Sequence, residues 1–151
     1  MNQRRVVRAI AYDFQEQEMK YLLLKTKKGY WQNPQGGIDE NESEIEAIIR
    51  ETKEETGLNI IEVFPNTRNF KEYDTERKGE IIHTLLSSYA VKIDSNQKVK
   101  LSNEDGHTDF KWVNYKDSLK LLNKYPEQKE VFESVIKKLN ENYDQINKNI
   151  N

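Results

Sequence analysis

The sequence predicts an α+β domain, and three observations carry that reading. Apolar, β-rich runs occupy Arg5–Tyr12 and Tyr21–Lys25. A capped amphipathic segment starts near Glu44, and more strand-like runs lead to a second amphipathic helix at Glu127–Leu139. Strands, helix, strands, helix is an order that layers helices on a sheet. At 151 residues the chain has material for one core and not two. The expected division is a single domain over 1–139 and an asparagine-rich tail over 140–151, whose low complexity predicts fraying.

The first two runs are separated by polar residues from Asp13 to Lys20 and read as a hairpin. Gly29 and Pro34 mark an irregular passage into the pair Gly36-Gly37. Ser43 with Glu46 three residues on forms a capping box, so a helix begins at about Glu44. Gly57 ends it, because glycine enters the left-handed conformation cheaply. At roughly 100° per residue, Ile45, Ile48, Ile49 and Thr52 form the stripe expected to face the core. Asn59–Phe64 reads as a strand, and Phe70–Tyr73 with Ile81–Val91 as a hairpin across the polar turn Thr75–Gly79. Val99–Leu101 and Phe110–Val113 are short strand candidates around the loop Ser102–Asp109. Asp117–Leu122 reads as a short helix that ends near Pro126. In the last helix Val131, Phe132, Val135, Ile136 and Leu139 gather on one side.

Composition narrows the functional classes. The formal net charge is −2 and the pI about 5.8, so no global basic field draws in nucleic acid or a membrane surface. The chain has no cysteine, which removes disulfides, thiolate metal sites and thiol nucleophiles. No segment approaches the roughly 20 apolar residues of a membrane span, and the N-terminus lacks a signal-peptide core. The expectation is a cytoplasmic protein with no membrane partner, either a monomer or a homodimer.

The chemistry concentrates on the first helix. Glu51, Glu54 and Glu55 fall within an arc of about 100° on the flank of its apolar stripe. Three carboxylates so close repel by on the order of a few kcal/mol per pair, and Arg50 pairs with Glu54 and leaves two. A hard divalent cation resolves that repulsion, and an oxygen-only ligand set suits Mg2+ or Mn2+. The competing reading is a solvated acidic face. It does not explain why the glutamates flank the stripe instead of opposing it, nor the glycine pair upstream.

The whole stretch GGIDENESEIEAIIRETKEETGL, Gly36 to Leu58, resembles the signature of the Nudix hydrolases, which split pyrophosphate bonds in nucleotide-like substrates. Thr52 stands where that pattern usually carries an aliphatic residue. The resemblance implies an α/β/α sandwich around a mixed sheet. It implies Glu51, Glu54 and Glu55 as metal ligands with the Gly36 or Gly37 carbonyl, Arg50 orienting a glutamate, and Glu42 fixing the loop. Catalysis falls to Glu54, Glu51 and Arg50. The general base is a helix glutamate or a loop acid: Gly106 occupies the family's acidic position before His107, which leaves Glu104 and Asp105 as alternatives. Lys25, Gly37, Arg68 and Tyr73 are candidates for substrate binding, and Tyr30, Trp31 and Phe70 for stacking on a base.

WQNPQGGID and TRNF are similar to RNA 5′-pyrophosphohydrolases and plant-type dinucleoside polyphosphate hydrolases. LSNEDGHTDFKWV is similar to diadenosine tetraphosphate hydrolases and to triphosphate pyrophosphatases. The expected partner is a small nucleoside polyphosphate, the lack of a basic stripe tilting the choice away from an RNA 5′ end. A nucleotide sensor without catalysis is the reading of a different class.

Overall fold

A computed structural model describes residues 2–104 and 106–150. The strands β1 (Asn2–Gln15), β2 (Glu18–Thr26), β3 (Trp31–Gln32), β4 (Gln35–Gly37), β5 (Ile60–Arg77), β6 (Glu80–Ile93) and β7 (His107–Val113) form one mixed sheet. Along it the order is β3-β2-β1-β6-β5, with β4 also on β1 and β7 on β2. Only β1 and β6 run parallel; every other pair is antiparallel. The helices are α1 (Glu44–Thr56), α2 (Tyr115–Leu121) and α3 (Pro126–Ile150).

β1 has helices over both faces, so apolar side chains fall on both and plain alternation disappears. Val6, Ile10 and Tyr12 pack with Phe132, Val135 and Ile136 of α3. Val7, Ala9 and Ala11 pack with Ala47 and Ile48 of α1. The result is the α/β/α sandwich that the signature implied. No described helix is long and apolar enough to cross a membrane.

Several elements differ from the sequence reading. The first hairpin turns on Glu16 and Gln17 alone, φ 54° and 69°, the two left-handed residues of a tight turn matched to strand twist. The second turns on Lys78 and Gly79. The runs at 59–64 and 70–73 belong to one strand, β5, whose pairing slips between Phe64 and Asn69. Fully buried Thr67 bridges the slip by donating to the Phe64 carbonyl and accepting from Ala90 N–H. Val99–Leu101 is not a strand: Lys100 N–H bonds the Thr56 carbonyl and Ser102 N–H the Glu55 carbonyl. Those bonds satisfy carbonyls at the open end of α1.

Pro126 does not close α2 but opens α3, where a missing N–H costs nothing. The asparagine-rich stretch continues α3 as helix to Ile150. The Tyr143 and Tyr12 hydroxyls meet there at 2.6 Å. That contact ties the beginning of the stretch to β1.

Candidate active site

α1 begins where expected. Ser43 Oγ accepts from Glu46 N–H, Glu46 accepts from Ser43 N–H, and Gly57 closes the helix at φ 73°. Its rotation about its axis differs from the sequence reading. Ile49 is 46% exposed, whereas Glu55 is 3% exposed alongside buried Ala47, Ile48, Thr52 and Thr56. Turning Glu55 inward carries Glu51 towards the glycine loop.

Arg50 is the hub of that loop. Nε and Nη2 grip the Glu42 carboxylate at 2.8 and 2.9 Å. Nη2 also donates to the Gly37 carbonyl at 2.8 Å. Nη1 reaches Glu51 at 2.8 Å and Glu54 at 3.3 Å. The forked guanidinium suits such multiple grips, and a lysine cannot replace it. Its hydrogen bonds, helped by the Asp39 N–H, hold the Glu42 carboxyl down at about 2, and Glu42 in turn raises the Arg50 pKa above the ordinary arginine value. A methyl at Gly36 would land on the Glu51 carboxyl group, while the same addition at Gly37 meets only a carbonyl at 3.9 Å. Close approach therefore demands glycine at 36 and merely permits it at 37.

Glu55 is held separately. Gln35 N–H donates to its Oε1 at 2.7 Å, and Oε2 lies 3.5 Å from His107 Nδ1 at the start of β7. His107 Nε2 is 2.9 Å from the Gln32 side-chain nitrogen. With that amide donating, Nε2 accepts and the ring proton sits on Nδ1, facing Glu55. Among the described residues, no three carboxylate or imidazole side chains converge as they stand on one metal position. Arg50 occupies the space between Glu51 and Glu54 with its own positive charge. The donor chemistry itself, three carboxylates beside a glycine backbone, fits a hard divalent ion.

Arg50, Glu51, Glu54 and Gly37 thus come together, with Glu42 as their brace and Gly36 against Glu51, while Glu55 is held beside them by Gln35. The expected substrate-binding residues divide between the two faces of the sheet. Arg68 lies with α1, clamped onto Glu44 at 2.8 and 3.0 Å, and Ser87 and Tyr89 also donate to that carboxylate. Tyr73 packs against the α3 side, as does Trp31, with Lys25 Nζ 5.9 Å above the Trp31 ring. Tyr30 meets Tyr125 edge-on at 5.9 Å, whereas Phe70 is exposed beside Arg68. Glu104 is exposed, and its N–H bonds Ser102 Oγ. Asp105 lies outside the described residues. The sequence reading gave no role to Gln35 or His107. Gln35 acts through its backbone N–H, which no side-chain pattern reveals; His107 was visible only as the residue after Gly106.

A family profile described as NUDIX domain matches residues 2–135. The RNA pyrophosphohydrolase of a Nitratiruptor species is 37% identical over 58% of this chain and 60% of its own length. The asymmetrical bis(5′-nucleosyl)-tetraphosphatase of Mus musculus is 32% identical over 68% of this chain and 69% of its own. Among solved structures, an Ap4A hydrolase binary complex from C. elegans superposes with a TM-score of 0.76 at 24% identity. That likeness covers 90% of this chain and 97% of the other and concerns the fold. Nudix hydrolases generally use divalent metal ions. With the profile spanning nearly the whole sandwich and the signature folded into one cluster around Arg50, the chain belongs to the NUDIX domain family.

Proposed function

We propose that this chain hydrolyses a phosphoanhydride bond of a nucleoside polyphosphate, with Mg2+ or Mn2+ as its metal. The observation that carries the reading is the gathering of Glu42, Glu51, Glu54 and the Gly37 carbonyl on Arg50. Glu51, Glu54, Glu55 and the Gly36 carbonyl would hold the ion. Bound there, the ion supplies charge neutralisation on the phosphate oxygens and acidifies a water. The chain's own residues divide the remaining work by exposure. The Glu51 and Glu55 side chains are largely buried, but that of Glu54 is 54% exposed on the same cluster. Glu54 accepts the proton as the water oxygen attacks phosphorus, and the P–O bond to the leaving phosphate breaks. Arg50 holds Glu51 and Glu54 in register for that transfer. Lys25 and Tyr73 would meet the phosphate chain and the nucleoside.

The low net charge favours a small nucleotide. The relatives named RNA pyrophosphohydrolase support a second reading, a triphosphorylated RNA 5′ end. Turnover with Mg2+ across nucleoside triphosphates, dinucleoside polyphosphates, dihydroneopterin triphosphate, nucleotide sugars and triphosphorylated RNA separates the two. Hydrolysis should stop in chelator and return with Mg2+ or Mn2+. Full turnover in chelator would remove the metal mechanism. Failure on every phosphoanhydride, with metal bound and protein folded, would leave a nucleotide sensor.

A further inference from the structure

Arg8 lies on β1, on the sheet face opposite α1, and is 3% exposed. Its guanidinium joins β4 to α3. Nε donates to Gln35 Oε1 at 2.9 Å, and Nη2 reaches Glu127 in the first turn of α3 at 3.3 Å. Gln35 stands opposite Arg8 in the β1–β4 ladder, immediately before Gly36. The same residue presents its backbone N–H to Glu55 Oε1 at 2.7 Å on the other face. Glu127, Arg8, Gln35 and Glu55 therefore form one continuous chain through the sheet, from α3 to α1.

We propose that Arg8 is a positioning residue for the catalytic carboxylates, acting through Gln35 on Glu55; this rests on the hydrolase reading above. Packing alone gives no reason for an arginine here. Its Nη1 is buried without a partner among the described residues, as is Glu127 Oε2. Buried polar atoms left without a hydrogen bond are costly, and apolar residues of similar size often stabilise such places as well as or better than a buried ion pair. What the arginine does provide is a fixed fork. With one arm on Gln35, it sets the angle at which the short β4 segment enters Gly36. It also prevents the Gln35 peptide from turning its N–H away from Glu55. Outer partners of this kind typically change metal affinity or turnover by about 10- to 100-fold when removed.

The experiment measures Mn2+ binding by water-proton relaxation, together with kcat and KM, for the wild type, Arg8→Met, Gln35→Met and the double variant. Gln35→Met keeps the backbone N–H and removes only the acceptor for Arg8. Each single variant should weaken Mn2+ binding and lower kcat by about tenfold or more, with KM within about twofold. The double variant should be no worse than the poorer single one, because both break the same chain. Additive losses would overturn the proposal, as would a rise in KM alone, which would make Arg8 a substrate contact. A lower melting temperature with unchanged Mn2+ affinity and kcat would reduce Arg8 to a core ion pair. If Arg8→Met does not fold, Gln35→Met decides by itself, and wild-type Mn2+ affinity and kcat in it overturn the relay. A wild type that binds Mn2+ but hydrolyses nothing sinks the functional reading alone, since the relaxation measurement still reads the relay.

Discussion

Gly36 shows how little room the site leaves. A methyl there collides with the Glu51 carboxyl, the far end of a flexible side chain. Gly36→Ala should therefore fold and melt close to wild type while turnover falls by about 10²-fold, the range for losing a preorganised charged group. A melting curve beside a rate measurement checks both halves, and a normal rate would mean that Glu51 works from another position. Glu54→Gln keeps the volume and removes the proposed proton acceptor, so its rate should drop by about 10²-fold or more. Its stability should hardly move, because a half-exposed pair to Arg50 at 3.3 Å contributes little. The amide variant of Glu104 should stay active, and substantial loss of turnover there would shift the base to the loop. These residues were legible because the signature names them. The partners that hold them were less so: Glu55 is fixed by a backbone N–H and a histidine some fifty positions away, and sequence spacing carries no such distances.

At the scale of elements, local chemistry was the most readable. Ser43, Glu46 and Gly57 mark both ends of α1, and Ser43→Ala should lower stability by about 1 kcal/mol in a denaturant titration. Buried faces were harder to assign. Hydrophobicity placed Ile49 in the buried stripe and Glu55 on its flank, yet the hydrogen-bonded Glu55 carboxylate is buried and Ile49 is exposed. The division of 59–64 from 70–73 failed for a similar reason, since Thr67 repairs the slip in β5 from within. The helical continuation as far as Tyr143 was illegible because its support there, the bond to Tyr12, is tertiary. Tyr143→Phe removes the bond to Tyr12 and should cost about 1 kcal/mol. An unchanged denaturation midpoint would make that contact incidental.

Across the whole molecule, three carboxylates, Asp13, Glu42 and Glu44, are stabilised in their charged forms. Hydrogen bonds from Arg68, then Tyr89 and Ser87, hold Glu44 down at about 2 despite partial burial; Arg50 does the same for Glu42. At Asp13 burial pushes the pKa up, but bonds from Lys92 and Ser95 outweigh it and bring it to about 2. Each group is depressed in the folded state from an ordinary value of 3.8 or 4.5. Their stabilisation is therefore complete above those values and is lost as pH falls towards about 2. Melting temperature should hold above about pH 5 and decline steadily below it. Glu44→Gln should lower the plateau and flatten the decline, and an unaltered acid limb would remove the Arg68 clamp from the balance.

The parallel ladder between β1 and β6 sets a schedule for folding. Its partners, from Asn2 with Ile82 to Tyr12 with Lys92, lie about eighty residues apart. Chains dominated by such distant pairings collapse more slowly than helical bundles of equal length. During synthesis the first strand waits, apolar on both sides, until the sixth has emerged. The glycine loop is laid along that same first strand, so competence in refolding should return no earlier than this late pairing does.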